Sequence, residues 1–407
     1  MSHFKYLLFA FSLFAMTAEA QHPFKYDNTV YKGVYLNEAF RLMDSMQNYL
    51  LLDVRSPGEY ADTSRATVLN IGRLRGSVNI TIDSVPAHIA ELKKYINQPV
   101  FVYCSHSQRS RRVSKLLAEN GFNQVYNING GMTRLNELDA NRFPEKRKYM
   151  VTSLNYTNIA STEAYHLIRD TPAIVIIDIR TVHEFASDDS LQGNNIGHLK
   201  NAINIPQADF AKKFDSFGIS KNSVVLTYDL KGINSMDVVD LLRAKGFTRI
   251  YNLFGGLISF ISDYNLDKTQ ISQLLINAPP YNMLDPTGCI ELLQQPNVVI
   301  LDTRPAEEFN NKANLTYRNL GHIKGAINVT SLDSLKMVVR KKDKATPFLV
   351  YGSTSDMGAV VCRELVKNGY QNVNFLGQGL YDFVWSTANI EECKTGRHFL
   401  TDHEGLY

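Results

Sequence analysis

One block of sequence occurs three times along this chain. Its copies are LLDVRSPGEY at 51–60, IIDIRTVHEF at 176–185 and ILDTRPAEEF at 300–309. All three contain an Asp-x-Arg triplet that is followed by a glutamate and an aromatic residue, and the aspartates lie 125 and 124 residues apart. Because a fixed period reflects a repeated structural unit, the chain is constrained to fold as three copies of one domain.

Three further blocks follow the triplet in the same order in every copy. The first begins at Gly72, Gly197 and Gly321, nineteen residues after the aspartate. The second is an apolar strand, a polar loop and a helical pattern, and the third reads VYNINGGM, IYNLFGGL and VNFLGQGL. Strands that alternate with helices indicate an α/β fold. We therefore predict three tandem α/β domains, each a mostly parallel sheet flanked by helices.

Polar stretches separate the copies. Charged side chains crowd residues 142–150, and Pro279-Pro280 interrupts the pattern a second time, as a linker does. The predicted domains are residues 21–148, 149–279 and 280–407.

Residues 1–20 differ from everything that follows. They combine Lys5, an apolar run from Leu7 to Met16, and the small-residue pattern Ala18-Glu19-Ala20 before Gln21. This is the pattern of a secretory signal peptide, and the apolar run is too short to span a bilayer. We expect an exported protein, periplasmic or secreted, without a membrane anchor.

Charge and cysteine content exclude some functions. A net charge of +3 over 407 residues gives no support to nucleic-acid binding. Four cysteines are too few for a disulfide scaffold, so a functional cysteine is expected to act as a thiol. Three of them, Cys289, Cys362 and Cys393, belong to the third copy, where a disulfide between two of them is left open.

The fourth cysteine lies where an α/β fold places its ligands. Cys104 follows the apolar strand PVFVY and precedes a helix that we expect to begin near Ser110. Ligands bind at the carboxyl ends of parallel strands, and a loop that enters a helix offers backbone N–H groups and the positive end of the helix dipole. Such a site favours a thiolate and an anion. We predict that Cys104 is a nucleophile; the alternative is an inert buried cysteine.

These blocks resemble the rhodanese-like sulfurtransferase family over essentially the whole chain after residue 20. The motifs that carry the resemblance are Asp53-Val-Arg55 with Glu59, the Gly72…Gly76…Asn79 segment, the Tyr103-Cys104…Arg109-Ser110 loop and Asn129-Gly130-Gly131. The resemblance implies that Cys104 lies at the base of a six-residue loop and carries sulfane sulfur as a persulfide. The residues expected to hold the persulfide are then Ser105, His106, Ser107, Gln108, Arg109 and Ser110.

The other two copies serve as internal controls. Asp229 and Gly352 occupy the position of Cys104, and Asn234 and Met357 occupy that of Arg109. Both copies are therefore expected to be catalytically silent. Because the Asp-x-Arg-…-Glu signature survives in them without the nucleophile, we interpret Asp53, Arg55 and Glu59 as a hydrogen-bonded scaffold that orients the loop, with direct chemistry as the alternative.

Several polar residues near the loop have two interpretations each. Arg73 either steers an anionic donor or is an ordinary surface arginine, and His106 either donates a proton or faces solvent. Arg111, Arg112 and Lys115 form a basic cluster with Arg109, interpreted as a solvated face or as an anion-steering surface.

We expect an exported sulfurtransferase that moves sulfur from thiosulfate, mercaptopyruvate or a polysulfide to cyanide or a thiol. The acceptor must come from outside, for example a thioredoxin-like protein, because the first domain has no second cysteine. No cofactor is expected, and the histidine spacing does not support a metal site. One alternative is a non-catalytic docking protein. A phosphatase or arsenate reductase is disfavoured, because those relatives have one residue more between Cys and Arg.

Overall fold

A computed structural model of the protein describes residues 30–353 and 355–401. The predicted signal peptide, residues 1–20, lies outside the described residues. Within the described ranges, no helix is both long enough and apolar enough to cross a membrane.

The first domain alternates strands and helices from residue 32 to residue 151. Its elements in chain order are β1 (Lys32–Val34), α1 (Leu36–Ser45), β2 (Leu50–Asp53), α2 (Pro57–Ala61), β3 (Arg73–Leu74), β4 (Val78–Asn79), α3 (Val85–Leu92), β5 (Val100–Tyr103), α4 (Gln108–Glu119), β6 (Val125–Ile128), α5 (Gly131–Glu137), α6 (Glu145–Tyr149) and β7 (Met150–Val151). The apolar strands β2, β5 and β6 are buried along their whole length, as central strands of a parallel sheet are.

The second domain repeats this order of elements. They are β8 (Thr157–Ile159), α7 (Ser161–Asp170), β9 (Val175–Asp178), α8 (Val182–Ala186), β10 (His198–Leu199), β11 (Ile203–Asn204), α9 (Phe210–Lys213), β12 (Val224–Tyr228), α10 (Ser235–Ala244), β13 (Arg249–Leu253), α11 (Gly256–Ser262), α12 (Lys268–Gln273) and β14 (Leu275–Ile276).

The third domain follows the same plan. Its elements are β15 (Asn282–Leu284), α13 (Pro286–Leu293), β16 (Val299–Asp302), α14 (Ala306–Phe309), β17 (Ile327–Asn328), α15 (Leu332–Val339), β18 (Phe348–Tyr351), α16 (Ser355–Lys367), β19 (Val373–Leu376) and α17 (Gly379–Asn389). Short 3-10 helices join these elements throughout the chain, and the longest, Glu391–Phe399, follows α17 directly.

Each domain contains one five-stranded sheet, and all strand pairs in these sheets are parallel. The strand orders are β1-β6-β5-β2-β4, β8-β13-β12-β9-β11 and β15-β19-β18-β16-β17, which are the same order in the three copies. The registers also agree, because the aspartate that ends β2, β9 or β16 pairs with the tyrosine that ends β5, β12 or β18. The predicted fold class, three tandem α/β domains with parallel sheets, is confirmed.

The domains pack against one another through apolar side chains. One buried cluster contains Phe40 of the first domain and Phe210 of the second, and another contains Ile258 of the second domain and Phe375 of the third. In addition, β7 pairs with β3 and β14 pairs with β10 in small antiparallel ribbons. The domain boundary predicted at residue 148 falls just before β7.

Candidate active site

Cys104 lies at the carboxyl end of β5, in the centre of the first sheet. Its side chain is buried, with 1% of the residue exposed, and the chain turns from there into α4, which begins at Gln108 rather than near Ser110. The pairing of β5 with β2 determines what surrounds Cys104, because the carboxyl ends of these two parallel strands meet at the same edge of the sheet. At this edge the loop after Cys104 meets Glu59 of α2 and Arg109 of α4.

Arg109 closes the loop through an ion pair with Glu59. Its guanidinium donates two hydrogen bonds of 2.7 Å to the two Glu59 oxygens and one of 2.9 Å to Ser105 Oγ. Burial alone would raise the pKa of Glu59, but the hydrogen bonds and charge of Arg109, together with hydrogen bonds from Ser56, outweigh it and lower this pKa to about 2. Burial alone would lower the pKa of Arg109, but the hydrogen bonds to Glu59 and the negative charges that Cys104 and Glu59 can carry outweigh it and raise this pKa. The guanidinium is thus held, fully charged, against the loop.

Asp53 and Arg55 form a separate buried pair. Arg55 donates to both Asp53 oxygens at 2.8–3.1 Å and to the Gly72 carbonyl oxygen at 2.8 Å, and neither side chain is exposed. Equivalent pairs join Asp178 to Arg180 and Asp302 to Arg304 in the other domains. The expected three-residue cluster is therefore divided in two: Asp53 and Arg55 tie β2 to the next block in every copy, whereas Glu59 holds Arg109.

The backbone of the loop has an unusual conformation at its centre. Ser107 has φ 73° and ψ −21°, a left-handed conformation that costs a non-glycine residue about 1–2 kcal/mol. Its hydroxyl accepts a 2.6 Å hydrogen bond from the Gly130 N–H, and its carbonyl oxygen accepts one of 3.0 Å from Ser110 Oγ. Side-chain contacts on both sides thus hold the strained turn.

Gly131 lets the neighbouring β6–α5 turn approach the nucleophile. A Cβ atom on Gly131 would lie 2.1 Å from the Cys104 carbonyl oxygen, and φ is +55° there. The close contact allows the Met132 N–H to donate to that oxygen at 3.0 Å and the Thr133 N–H to donate to the Ser105 oxygen at 3.0 Å. The Asn-Gly-Gly motif is therefore part of the wall of the loop.

The side chains of His106 and Gln108 are exposed at the rim. His106 Nε2 lies 3.0 Å from Thr133 Oγ1. Although part of the ring faces solvent, the protein packed around it, including Trp385, and the nearby charge of Arg109 lower its pKa to about 4, so the imidazole is neutral near pH 7. An imidazolium proton donor is therefore not available at His106 at neutral pH.

Arg73 packs against its own domain. Its guanidinium lies 5.0 Å from the centre of the Tyr60 ring and donates to the Tyr60 carbonyl oxygen at 3.3 Å. In the second domain, His198 stacks on Phe185 at the same position. These contacts favour a packing role for Arg73 over a role in steering anions.

The second domain shows what a loop of this length surrounds. The Asp229 carboxylate, at the position of Cys104, accepts hydrogen bonds from five consecutive backbone N–H groups. The donors are Lys231, Gly232, Ile233, Asn234 and Ser235. The loop is therefore a nest for a negative charge, and here a built-in carboxylate fills it. In the third domain, Gly352 offers no side chain at that position.

The third domain contacts the loop of the first. Trp385 in α17 is 7% exposed and donates a hydrogen bond of 3.1 Å to the His106 carbonyl oxygen. One turn later, Asn389 Oδ1 accepts from the Gly130 N–H at 3.2 Å and from Arg111 at 3.1 Å. Sequence reasoning missed Trp385 and Asn389, because nothing in the repeat pattern indicates which copy lies over Cys104.

Arg111 departs from its expected role in the basic cluster. Only 1% of the residue is exposed, and its guanidinium also donates to the Ala388 carbonyl oxygen at 3.1 Å. Arg111 therefore belongs neither to a solvated face nor to an anion-steering surface; it joins the first and third domains.

The remaining cysteines lie in the interior of the third domain as free thiols. Burial raises the pKa of Cys289 and of Cys362 well above the usual value and that of Cys393 to about 12. These thiols are protonated at neutral pH and are shielded from reagents.

Comparisons with known proteins identify the family of each domain. The family model described as "Rhodanese-like domain" matches residues 37–137, 161–263 and 285–384. The uncharacterized protein YqhL of Bacillus subtilis (strain 168) is 31% identical over 84 residues, which are 21% of this chain and 58% of YqhL. The thiosulfate sulfurtransferase GlpE of Pseudoalteromonas translucida (strain TAC 125) is 26% identical over 103 residues, 25% of this chain and 87% of GlpE.

A third relative is larger than the matched region. The tRNA uridine(34) hydroxylase of Cytophaga hutchinsonii is 30% identical over 112 residues, 26% of this chain and 33% of the hydroxylase. The chain thus spans a little over half of YqhL and a third of the hydroxylase.

Proposed function

Because this chain belongs to the rhodanese family, with three copies of its domain, we propose that it is a sulfurtransferase whose first domain carries sulfane sulfur on Cys104. The observation that carries the proposal is the closed loop from Cys104 to Arg109, in which Glu59 and Ser105 fix the arginine beside the sulfur. The second and third domains lack a cysteine at this position and act as structural partners.

The reaction has two half-reactions. With thiosulfate or a polysulfide, the Cys104 thiolate attacks the outer sulfur, the sulfur–sulfur bond of the donor breaks, and sulfite or the shortened polysulfide leaves with the bonding electron pair. With mercaptopyruvate, the thiolate attacks the thiol sulfur, the carbon–sulfur bond breaks, and pyruvate leaves as an enolate that takes up a proton. Cys104 then carries a persulfide, whose charge is stabilised by the loop N–H groups and by Arg109. An acceptor thiolate or cyanide next attacks the outer sulfur, and Cys104 leaves as a thiolate.

The second domain supports the stabilising role of the loop. Five N–H groups converge there on the Asp229 carboxylate, within a loop of the same length. The corresponding groups of the first domain belong to residues 106–110. A persulfide sulfur on Cys104 extends into the same space, so the nest supplies donors where negative charge develops.

Donor and acceptor follow from the loop and from the cysteines. The residues between Cys104 and Arg109 carry no fixed positive charge, which favours mercaptopyruvate or a polysulfide over thiosulfate as the donor. The other three cysteines are buried in the third domain, which favours an external acceptor: cyanide, a small thiol or a thioredoxin-like protein. Residues 1–20 support export to the periplasm or beyond. The N-terminal residue of the protein purified from cells tests this, and a chain that starts at Gln21 is the expected result.

A second candidate function is a docking module without catalysis. The observations that favour it are the 1% exposure of Cys104 and the absence of a nucleophile from the other two loops. The two functions differ in one property, because only the enzyme must take up sulfur at Cys104.

Intact mass spectrometry separates these functions. The purified protein is treated with thiosulfate, mercaptopyruvate or a polysulfide, beside the Cys104→Ser variant. The enzyme is expected to gain the mass of one sulfur atom, which cyanide removes, and Cys104→Ser is expected to gain none. A folded, reduced protein that takes up no sulfur from any of the three donors would contradict the proposal and favour the docking module.

A further inference from the structure

The peptide between His106 and Ser107 is held from outside the first domain. Its carbonyl oxygen accepts the 3.1 Å hydrogen bond from Trp385 Nε1, and the two aromatic rings of His106 and Trp385 are 6.1 Å apart. Trp385 belongs to α17 of the third domain, 279 residues away in sequence. A silent domain therefore reaches into the backbone of the loop that follows Cys104.

In a trans peptide, the N–H and the C=O point in opposite directions. The bond from Trp385 draws the His106 carbonyl oxygen towards the third domain and so turns the Ser107 N–H the other way. The second domain shows where this N–H leads, because its counterpart, the Gly232 N–H, donates to the Asp229 carboxylate. The Ser107 N–H is thus aimed at the position that the persulfide sulfur would occupy.

The need for such a hold follows from the residue type. Gly232 adopts φ +71° without a steric penalty, whereas Ser107 adopts φ +73° against one. Rotation of the 106–107 peptide would relieve the strain and remove the N–H from the sulfur site. The first domain has Ser107 at this position, and Trp385 of the third domain donates to the carbonyl oxygen of the preceding residue, His106.

We propose that Trp385 is a positioning residue for sulfur transfer: its indole N–H fixes the 106–107 peptide so that the Ser107 N–H stabilises the charged sulfur on Cys104. Asn389, one turn further along α17, holds the Gly130 turn from the same helix face. This inference rests on the proposed function only for the sulfur-transfer step, because its effect on thiolate reactivity exists without any donor.

The test compares Trp385→Phe with a matched interface variant. Phenylalanine keeps an aromatic ring in α17 but has no N–H. The control, Glu391→Ala, removes the 2.7 Å contact between Asn37 and Glu391 across the same domain interface. Iodoacetamide alkylation of Cys104 is measured across pH, followed by the rate of sulfur loading from the best donor.

For Trp385→Phe, we expect the midpoint of the alkylation profile to move to higher pH and sulfur loading to slow by about tenfold. This is less than the roughly hundredfold cost of removing a preorganised donor, because the Ser107 N–H stays in place and loses only its fixed orientation. Glu391→Ala is expected to match the unmodified protein in both. If Trp385→Phe keeps the unmodified alkylation profile and loading rate, the positioning role is wrong. If the unmodified protein itself takes up no sulfur, the sulfurtransferase proposal is wrong, and the alkylation profiles still decide the role of Trp385.

A measurement without mutation covers the case in which Trp385→Phe does not fold. Trp385 is the only tryptophan in the sequence, so its indole N–H gives a single resonance in an NMR spectrum. An N–H that donates to a charged sulfur strengthens the acceptor on the other side of the same peptide. Loading or alkylating Cys104 is therefore expected to shift this resonance, and an unchanged resonance would overturn the inference.

Discussion

The ion pair between Glu59 and Arg109 offers the sharpest test of the loop. Glu59→Gln keeps the size of the side chain and its capping of α2, because glutamine also serves in a capping box. It removes the negative charge that faces Arg109 through two 2.7 Å hydrogen bonds. We expect the protein to lose stability and the loop to lose its fixed arginine.

The magnitude follows from the pKa of Glu59. The lowering from 4.5 to about 2 corresponds to about 3 kcal/mol of interaction with the charged form, and partial exposure of Arg109 reduces this to about 2–3 kcal/mol. Since the folded-state pKa is the lower one, this stability is present above pH 4.5 and is lost as the pH falls through about 2. Glu59→Gln should therefore destabilise the protein at pH 7 and matter little at pH 2.

The second domain supplies the control. Glu184 caps α8 as Glu59 caps α2, but within residues 30–353 and 355–401 its carboxylate is hydrogen-bonded only to Thr181. Urea denaturation at pH 7 should show a loss of about 2–3 kcal/mol for Glu59→Gln and under 0.5 kcal/mol for Glu184→Gln. Sulfur loading should fall at least tenfold in the first variant only. Equal losses of stability in the two variants would refute the reasoning, because the shared cap would then be the only interaction of consequence.

Three further outcomes follow from the loops. Asp229→Ala removes the acceptor of five N–H groups and should destabilise the second domain by about 2–4 kcal/mol in urea denaturation. Sulfur loading should stay within twofold of the unmodified protein. A loss of loading would mean that the two loops are coupled. Gly131→Ala places a Cβ 2.1 Å from the Cys104 carbonyl oxygen and should lower the free energy of unfolding by more than about 3 kcal/mol. Gly76→Ala, at φ +80° with open space around the new Cβ, should lower it by about 1 kcal/mol. Similar thermal midpoints for the two variants would contradict the close contact at Gly131. Since the pKa of His106 is about 4, His106→Asn should leave the pH dependence of sulfur loading unchanged between pH 5 and 8, and the loss of a titration near pH 6 would show that the imidazole acts as a base or acid there.

Local pattern was enough to predict the position of Cys104. The strand PVFVY, the polar loop and the helical pattern after it are short-range features, and the parallel sheet follows from the alternation of strands and helices. The repeats also predicted a scaffold role for Asp53 and Arg55, whose buried pair recurs at Asp178 and Asp302. The triplet pattern did not reveal that Glu59 forms its ion pair with Arg109 and not with Arg55. Arg55 belongs to the triplet itself, whereas Arg109 lies in α4, in a later block of the sequence.

The interpretation of Arg111 shows where such patterns lose their information. An arginine beside other basic residues at the start of a helix usually faces solvent, and only the packing of α17 across the first domain buries it. A helix pattern defines which residues share a face. It does not define which of two other domains covers that face.

The sequence by itself determined the three-domain architecture, the parallel sheets and the cysteine loop with its arginine, since these depend on periodicity and on spacing within one repeat. The tertiary structure alone decided that the third domain covers the loop, that Trp385 holds the 106–107 peptide, and that Asn389 and Arg111 join the two domains. The physical reason is that these contacts form between surfaces that are brought together by apolar burial between domains, which is non-directional and leaves no periodic signal in the sequence.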